Sequence, residues 1–174
     1  MRLRWCPGTS FWCAPVSESQ FQLTSCILNS MPGDLLARLR ASAVLCDGAM
    51  GTLLYSKGIF INRCYDELNL SQPDLIRGVH HEYFQAGAEI VETNTFGGNS
   101  FRLERHGLGS KVREINVAGA RLAKEAAKSF DGWVAGSVGP LGVRIEPLGK
   151  TSFQEARDSF REQIAALLEG GVDV

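Results

Sequence analysis

No apolar run in the chain approaches the roughly 18 residues that a membrane-crossing helix needs. Nor is there a surplus of one charge. Lys and Arg number 18 against 19 Asp and Glu, a formal net charge of -1, which gives no electrostatic basis for holding nucleic acid or an anionic membrane surface. The five cysteines, Cys6, Cys13, Cys26, Cys46 and Cys64, fall at no CxxC or CxxH spacing. Their wide gaps and odd number exclude a zinc knuckle and argue against a disulfide framework, so they read as reduced thiols. No GxGxxG phosphate loop follows the first apolar stretch. These absences leave the expectation of a soluble, cytoplasmic protein whose 174 residues, 44% of them hydrophobic, suffice to bury a core.

Residues 1–31 differ from the rest. They hold Trp5, Trp12, three of the five cysteines and many serines, with Glu18 as the only acid. No helical or strand period runs through them, and no cleavage pattern accompanies Arg2 and Arg4. Met31 stands directly before Pro32-Gly33-Asp34, where an amphipathic helix begins with Leu35, Leu36 and Leu39. The reading is a disordered or misassigned leader over 1–31, with Met31 as the natural start and a domain over 32–174.

From there the pattern is regular. Ala43-Val44-Leu45, Ile90-Val91 and Trp133-Val134-Ala135 predict strands at about 43–47, 89–93 and 133–137. Ser71-Gln72-Pro73-Asp74 predicts a helix start with Ser71 as N-cap, and Gly87 ends that helix after an apolar face of Leu75, Ile76, Val79, Tyr83 and Phe84. A short helix over 99–106 and a longer one over 110–128 follow, the second with Val112, Ile115, Leu122, Ala123 and Ala126 inward. Ser152-Phe153-Gln154-Glu155 is a capping box opening the last helix, striped by Phe153, Ala156, Phe160, Ile164, Leu167 and Leu168. Val172-Asp173-Val174 reads as the start of a fourth strand. Strands separated by helices give a parallel sheet in sequential order through right-handed crossovers. The fold class is therefore α/β. The order is that of a (β/α)8 TIM barrel, of which about the first half is here, strands one to three and the start of four; a doubly wound sheet fits the local pattern equally.

Each predicted strand runs into a polar cluster, and ligands of such folds gather at those strand ends. Asp47-Gly48 ends the first. A carboxylate there can accept from a substrate ammonium, and glycine lets backbone N–H groups approach a carboxylate; a turn capped by Asp47 is the plain alternative. Glu92-Thr93-Asn94-Thr95 is a run of four hydrogen-bonding side chains. A buried unpaired polar group costs about 1–3 kcal/mol, so a ligand or a structural network must satisfy whichever of them face inward. Ser137-Val138-Gly139-Pro140 puts a polar residue before a rigid turn. His80-His81 makes no HExxH pattern, His106 reads as a solvated helix end, and Arg102, Arg105 and Arg113 read as solvated surface. Cys64 reads as a buried inert thiol, with a pocket position as the alternative.

Asp47-Gly48-Ala49-Met50-Gly51-Thr52, Glu92-Thr93-Asn94-Thr95-Phe96-Gly97-Gly98-Asn99 and Gly136-Ser137-Val138-Gly139-Pro140 together resemble the homocysteine S-methyltransferase family, from about residue 34 onward. Leu53–Gly58 and Arg63–Asn69 look most like the amino-terminal half of bifunctional homocysteine methyltransferase/methylenetetrahydrofolate reductases. The resemblance implies a barrel that uses zinc to activate homocysteine toward a methyl donor. It would place Asp47 and Gly48 at the amino-acid end of homocysteine, with Glu92, Thr93, Asn94 and Ser137 lining the same pocket. The zinc ligands of the family are three cysteines of the barrel's second half, and none of the five here lies at a matching motif. The expectation is thus a methyltransferase fragment that is inactive alone. A non-catalytic α/β interaction module, or another barrel enzyme using Gly97-Gly98 as an anion nest, are the other readings.

Overall fold

The computed structural model describes residues 34–174, so the leader expected over 1–31 lies outside the described residues. The described residues begin with α1 (Leu35–Ala41), capped by the Asp34 side chain, which accepts from the Leu36 N–H at 3.0 Å. Next come α2 (Met50–Ser56), α3 (Leu68–Ser71) and α4 (Pro73–Gln85). Strand β1 (Ile90–Glu92) follows, then α5 (Ser100–Glu104), a 3-10 turn at Gly109–Lys111, α6 (Val112–Ala127), strand β2 (Trp133–Ala135) and α7 (Phe153–Gly170).

Strands β1 and β2 pair in parallel, with Ile90 beside Trp133, Val91 beside Val134 and Glu92 beside Ala135. On the outer side of β1 the segment expected as strand 43–47 contributes only a bridge at Cys46, with the Asp47 N–H donating to Ile90 O at 3.0 Å. On the outer side of β2, Asp173 N–H donates to Val134 O at 2.8 Å and Gly136 N–H to Val174 O at 2.7 Å. Four extended segments therefore lie side by side in chain order, of which the inner two form a regular ladder. Among the described residues each outer segment is paired along one side only.

One face of the sheet is closed by helices. Val91 and Val134 pack with Phe84 of α4 and with Ala123, Ala126 and Ala127 of α6. A second cluster, Leu54, Leu68, Ile76, Val79 and Leu122, joins α2, α3 and α4 to α6. Full burial of such a side chain contributes about 1.5–3 kcal/mol, so these clusters fix where the strand ends lie. Gly87, at φ +105°, reverses the chain between α4 and β1, a conformation that favours glycine.

Three expectations shift. Ser71 does not cap α4: it closes α3, and Gln72 is the cap, because Pro73 takes the first helical position, where its missing N–H costs nothing. The strand expected at 133–137 ends at Ala135, leaving Ser137 in the loop. The Ser152–Glu155 capping box forms as expected, but of the apolar stripe of α7 only Ala156 and Leu167 lie on its buried face. Phe153 and Leu168 are 58% and 64% exposed, while the buried row is Ala156, Ser159, Gln163, Ala166, Leu167 and Gly170. Close packing decides this: a Cβ on Gly170 would sit 2.4 Å from Ala120 Cβ, and α7 turns its small and polar row to α6.

Candidate functional site

At the ends of the parallel segments a cavity of about 570 Å³ opens, lined by Asp47, Gly48, Glu92, Thr93, Asn94 and Ser137 among others. All six residues singled out from sequence thus meet in one pocket. Their roles within it differ.

Asp47 and Glu92 form its acidic end. The Glu92 N–H donates to Asp47 Oδ2 at 3.0 Å, and the Cys46 thiol donates to Asp47 Oδ1 at 3.3 Å. The Ser137 hydroxyl donates to Glu92 Oε2 at 3.0 Å. Burial pushes the Asp47 carboxyl above its ordinary value, against the hydrogen bonds that stabilise its charge, and the neighbouring Glu92 carboxylate pushes the same way. Among the described residues neither carboxylate has a Lys or Arg ion-pair partner; the basic side chains pair elsewhere, as Arg38 does with Glu89 and Lys57 with Glu82. Two adjacent acids without a counter-charge favour a bound cation.

Thr93 is wired inside the protein. The Thr95 hydroxyl donates to Ser137 O at 2.8 Å, so the 2.6 Å contact between the two threonine oxygens carries the Thr93 proton. Thr93 Oγ1 in turn accepts the Ser137 N–H at 2.9 Å. Asn94 spends both amide hydrogens on Tyr65 O at 2.7 Å and Asn69 Oδ1 at 3.2 Å, while Asn69 returns a donor to Asn94 O at 2.8 Å. The polar run after β1 therefore stitches the strand ends together and leaves Glu92 directed to the pocket.

Gly97-Gly98 is not an open anion nest. The Gly97 N–H donates to Asp66 Oδ1 at 2.7 Å and the Gly98 N–H to Thr95 O at 2.9 Å. A side chain at either position would force a neighbour to shift, since a Cβ would meet Asp66 Oδ2 at 2.6 Å or Asn116 Oδ1 at 2.4 Å. Gly139 is needed for the same reason: its Cβ would stand 2.3 Å from Phe96 O, which accepts the Gly139 N–H at 3.1 Å.

The pocket also takes in residues read from sequence as surface or inert. Arg102 is half-buried, with its guanidinium over the Phe96 ring at 5.8 Å from the centroid. Cys64 lines the wall beside Asp66, and burial raises its thiol pKa. Asp66 itself was not singled out; its only signal was membership of the Arg63–Asn69 motif. His106 is exposed at the rim, as expected of a helix end. His80 lies outside the pocket, fully buried and without a hydrogen-bond partner.

Comparison with known proteins agrees with this geometry. Residues 44–174 match the homocysteine S-methyltransferase family. The chain belongs to that family. Among its relatives are methionine synthases of Mycobacterium leprae and Mycobacterium tuberculosis, each 34% identical over 151 residues. That alignment covers 80% of this chain but only 12% and 13% of the two relatives. The homocysteine methyltransferase MmuM from Escherichia coli is similar in structure. Its metallated form superposes at a TM-score of 0.68 with 26% identity, over 79% of this chain and 54% of that one. Its oxidised form gives 0.65 with 27% identity, over 75% and 51%.

A metallated relative raises the question whether this member of the family could hold the metal. The described residues do not fit one: no group of three or more His, Cys, Asp or Glu converges among them. Cys46 is also a poor ligand as it stands, because burial and the Asp47 carboxylate push its thiol to about 11, and metals take the thiolate. Among the described residues no helix is long and apolar enough to cross a membrane.

Proposed function

We propose that this chain forms the homocysteine-recognising part of a (β/α)8 barrel that transfers a methyl group from a donor to the homocysteine sulfur, giving methionine. The observation that carries the reading is the un-neutralised Asp47–Glu92 pair at the ends of parallel strands. It is a receptor for the substrate ammonium. The free Glu92 oxygen and Asp47 accept its hydrogens, and Ser137 holds the Glu92 carboxylate in place. Charge-assisted hydrogen bonds of this kind contribute roughly 1.5–3 kcal/mol each. Thr93 and Asn94 act one step back, by fixing the backbone from which Glu92 projects.

In the transfer itself the sulfur–methyl bond forms as the bond from methyl to the donor heteroatom breaks. That heteroatom keeps the electron pair, and the thiol proton is lost. A free thiol of pKa about 8.5 is only about 3% ionised at pH 7, so activating it can raise the rate about 30-fold. Zinc is the family's expected activator, and the described residues offer no donor set for it. The reading therefore assigns amino-acid recognition to this chain and predicts that the chain by itself does not methylate homocysteine.

Calorimetric or NMR titration of the 174-residue chain with L-homocysteine tests this. Saturable binding that Glu92→Gln and Asp47→Asn each weaken at least tenfold is the expected result. Absence of binding, or binding indifferent to both substitutions, overturns it.

A further inference from the structure

We infer that Gln163 of α7 is a positioning residue for homocysteine. Through Thr95 and Ser137 it holds the Glu92 carboxylate where the substrate ammonium meets it, a role that rests on the reading of Glu92 proposed above. The path runs from the helix to the pocket. Gln163 Nε2 donates to Thr95 O at 2.7 Å. The Thr95 hydroxyl donates to Ser137 O at 2.8 Å, and the Ser137 hydroxyl donates to Glu92 Oε2 at 3.0 Å. Gln163 itself lies outside the pocket lining.

Gln163 is costly where it stands. It is fully buried, and among the described residues its Oε1 has no hydrogen-bond partner. A buried acceptor left unpaired opposes folding. Met or Leu would fill the space without that cost, yet the apolar neighbour Ile164 is the one exposed. Nor can the amide turn over to pair its oxygen. Asn116 spends both amide hydrogens on Gly98 O and Val112 O at 2.7 Å, so its Oδ1 faces Gln163 Nε2 at 3.3 Å. Thr95 O and Asn116 Oδ1 are both acceptors, and only the NH2 end of Gln163 can face them. A polar residue kept at a buried position against stability marks a place that serves more than packing.

What Gln163 serves is the Thr95 peptide. Thr95 lies past the end of β1, in the loop leading to α5. Its N–H turns back to Thr93 O at 2.9 Å and its carbonyl takes the Gly98 N–H at 2.9 Å. Both bonds are internal to the loop, so the Gln163 amide is what ties this peptide to a helix. With the peptide fixed, the Thr95 hydroxyl stands between Ser137 O and the Thr93 hydroxyl, 2.6 Å away. Linked hydrogen bonds of this kind polarise and orient one another. Without Gln163 the loop gains freedom, Ser137 follows it, and Glu92 loses a fixed partner.

Calorimetric titration of the 174-residue chain with L-homocysteine tests this. Gln163→Met keeps the bulk while removing the donor and the unpaired oxygen, and is expected to weaken binding threefold or more. In a Ser137→Ala background the same substitution is expected to weaken it less than twofold, because the last link is already cut. Thr95→Val, which keeps the shape and loses the hydroxyl, should weaken binding at least threefold, and Thr95→Ser should stay within twofold of wild type. A loss under threefold in Gln163→Met overturns the inference and leaves the homocysteine reading intact. So does a loss of twofold or more that persists without the Ser137 hydroxyl, which makes Gln163 a packing residue. If Gln163→Met does not fold, the threonine variants decide, and equal affinity in Thr95→Val and Thr95→Ser overturns it. If the wild type binds no homocysteine, the reading of Glu92 fails and this inference with it.

Discussion

The Ser137 hydroxyl donates to Glu92 Oε2 at 3.0 Å, across the loops that leave two adjacent strands. The bond fixes the Glu92 carboxylate and leaves its second oxygen directed to the pocket. Ser137→Ala removes it without altering the charge. Homocysteine affinity is expected to fall about threefold to tenfold, the size of one hydrogen bond of roughly 1 kcal/mol. Thermal unfolding should barely move, because Glu92 is solvent-accessible and finds water. Isothermal titration beside a melting curve separates the two effects.

His80 gives a pH prediction with a definite sign. It is fully buried in α4, and both ring nitrogens lack partners. Burial lowers its pKa from 6.5 to about 4. The folded state thus resists protonation that the unfolded state accepts. Above pH 6.5 both states hold it neutral and full stability is present; as pH falls toward 4 the unfolded chain gains a proton and stability drops by about 3 kcal/mol. His80→Leu, of similar bulk, is expected to flatten that part of the curve. Urea unfolding at intervals between pH 7 and 4 measures it.

Asn69 holds the loop after β1 to two helices. Its amide donates to Asn94 O at 2.8 Å and Ile115 O at 3.2 Å, and its oxygen accepts from Asn94 at 3.2 Å. Asn69→Leu leaves Asn94 O without its partner and removes one bond each from Ile115 O and the Asn94 amide, which keep their bonds within the helix and to Tyr65 O, and is expected to cost about 1–3 kcal/mol. Equilibrium denaturation reads this, and homocysteine affinity should fall alongside as Glu92 loses its backing.

Gly139→Ala tests the contact between the two strand-end loops. The added Cβ would lie 2.3 Å from Phe96 O, a backbone atom that cannot turn aside. A loss of about 1–3 kcal/mol is expected, as for other overpacked sites, and should appear as a lower denaturation midpoint. Gly78→Ala serves as control. Its Cβ would meet nothing within 4 Å, and alanine is the better helix former by about 1 kcal/mol, so the midpoint should hold or rise.

The sequence by itself determined the order of elements and the identity of the pocket. Apolar stretches ending in Asp47, Glu92 and Ser137 imply parallel strands whose polar ends share one edge, because right-handed crossovers through helices return each strand in the same direction. The Ser152–Glu155 cap and the inward face of α6 were legible because both depend on residues three or four positions apart. Tertiary structure decided what no local spacing encodes. It spent Thr93 and Asn94 on cross-loop bonds to Ser137, Tyr65 and Asn69, partners 44, 29 and 25 residues away. It turned the polar row of α7 inward so that Gln163 reaches Thr95 O at 2.7 Å. It drew Arg102 off the surface to Phe96 and closed Gly97 onto Asp66. A side chain's periodicity tells which way it faces along its own element; whether a donor is free for a ligand depends on acceptors that only the folded chain brings within reach.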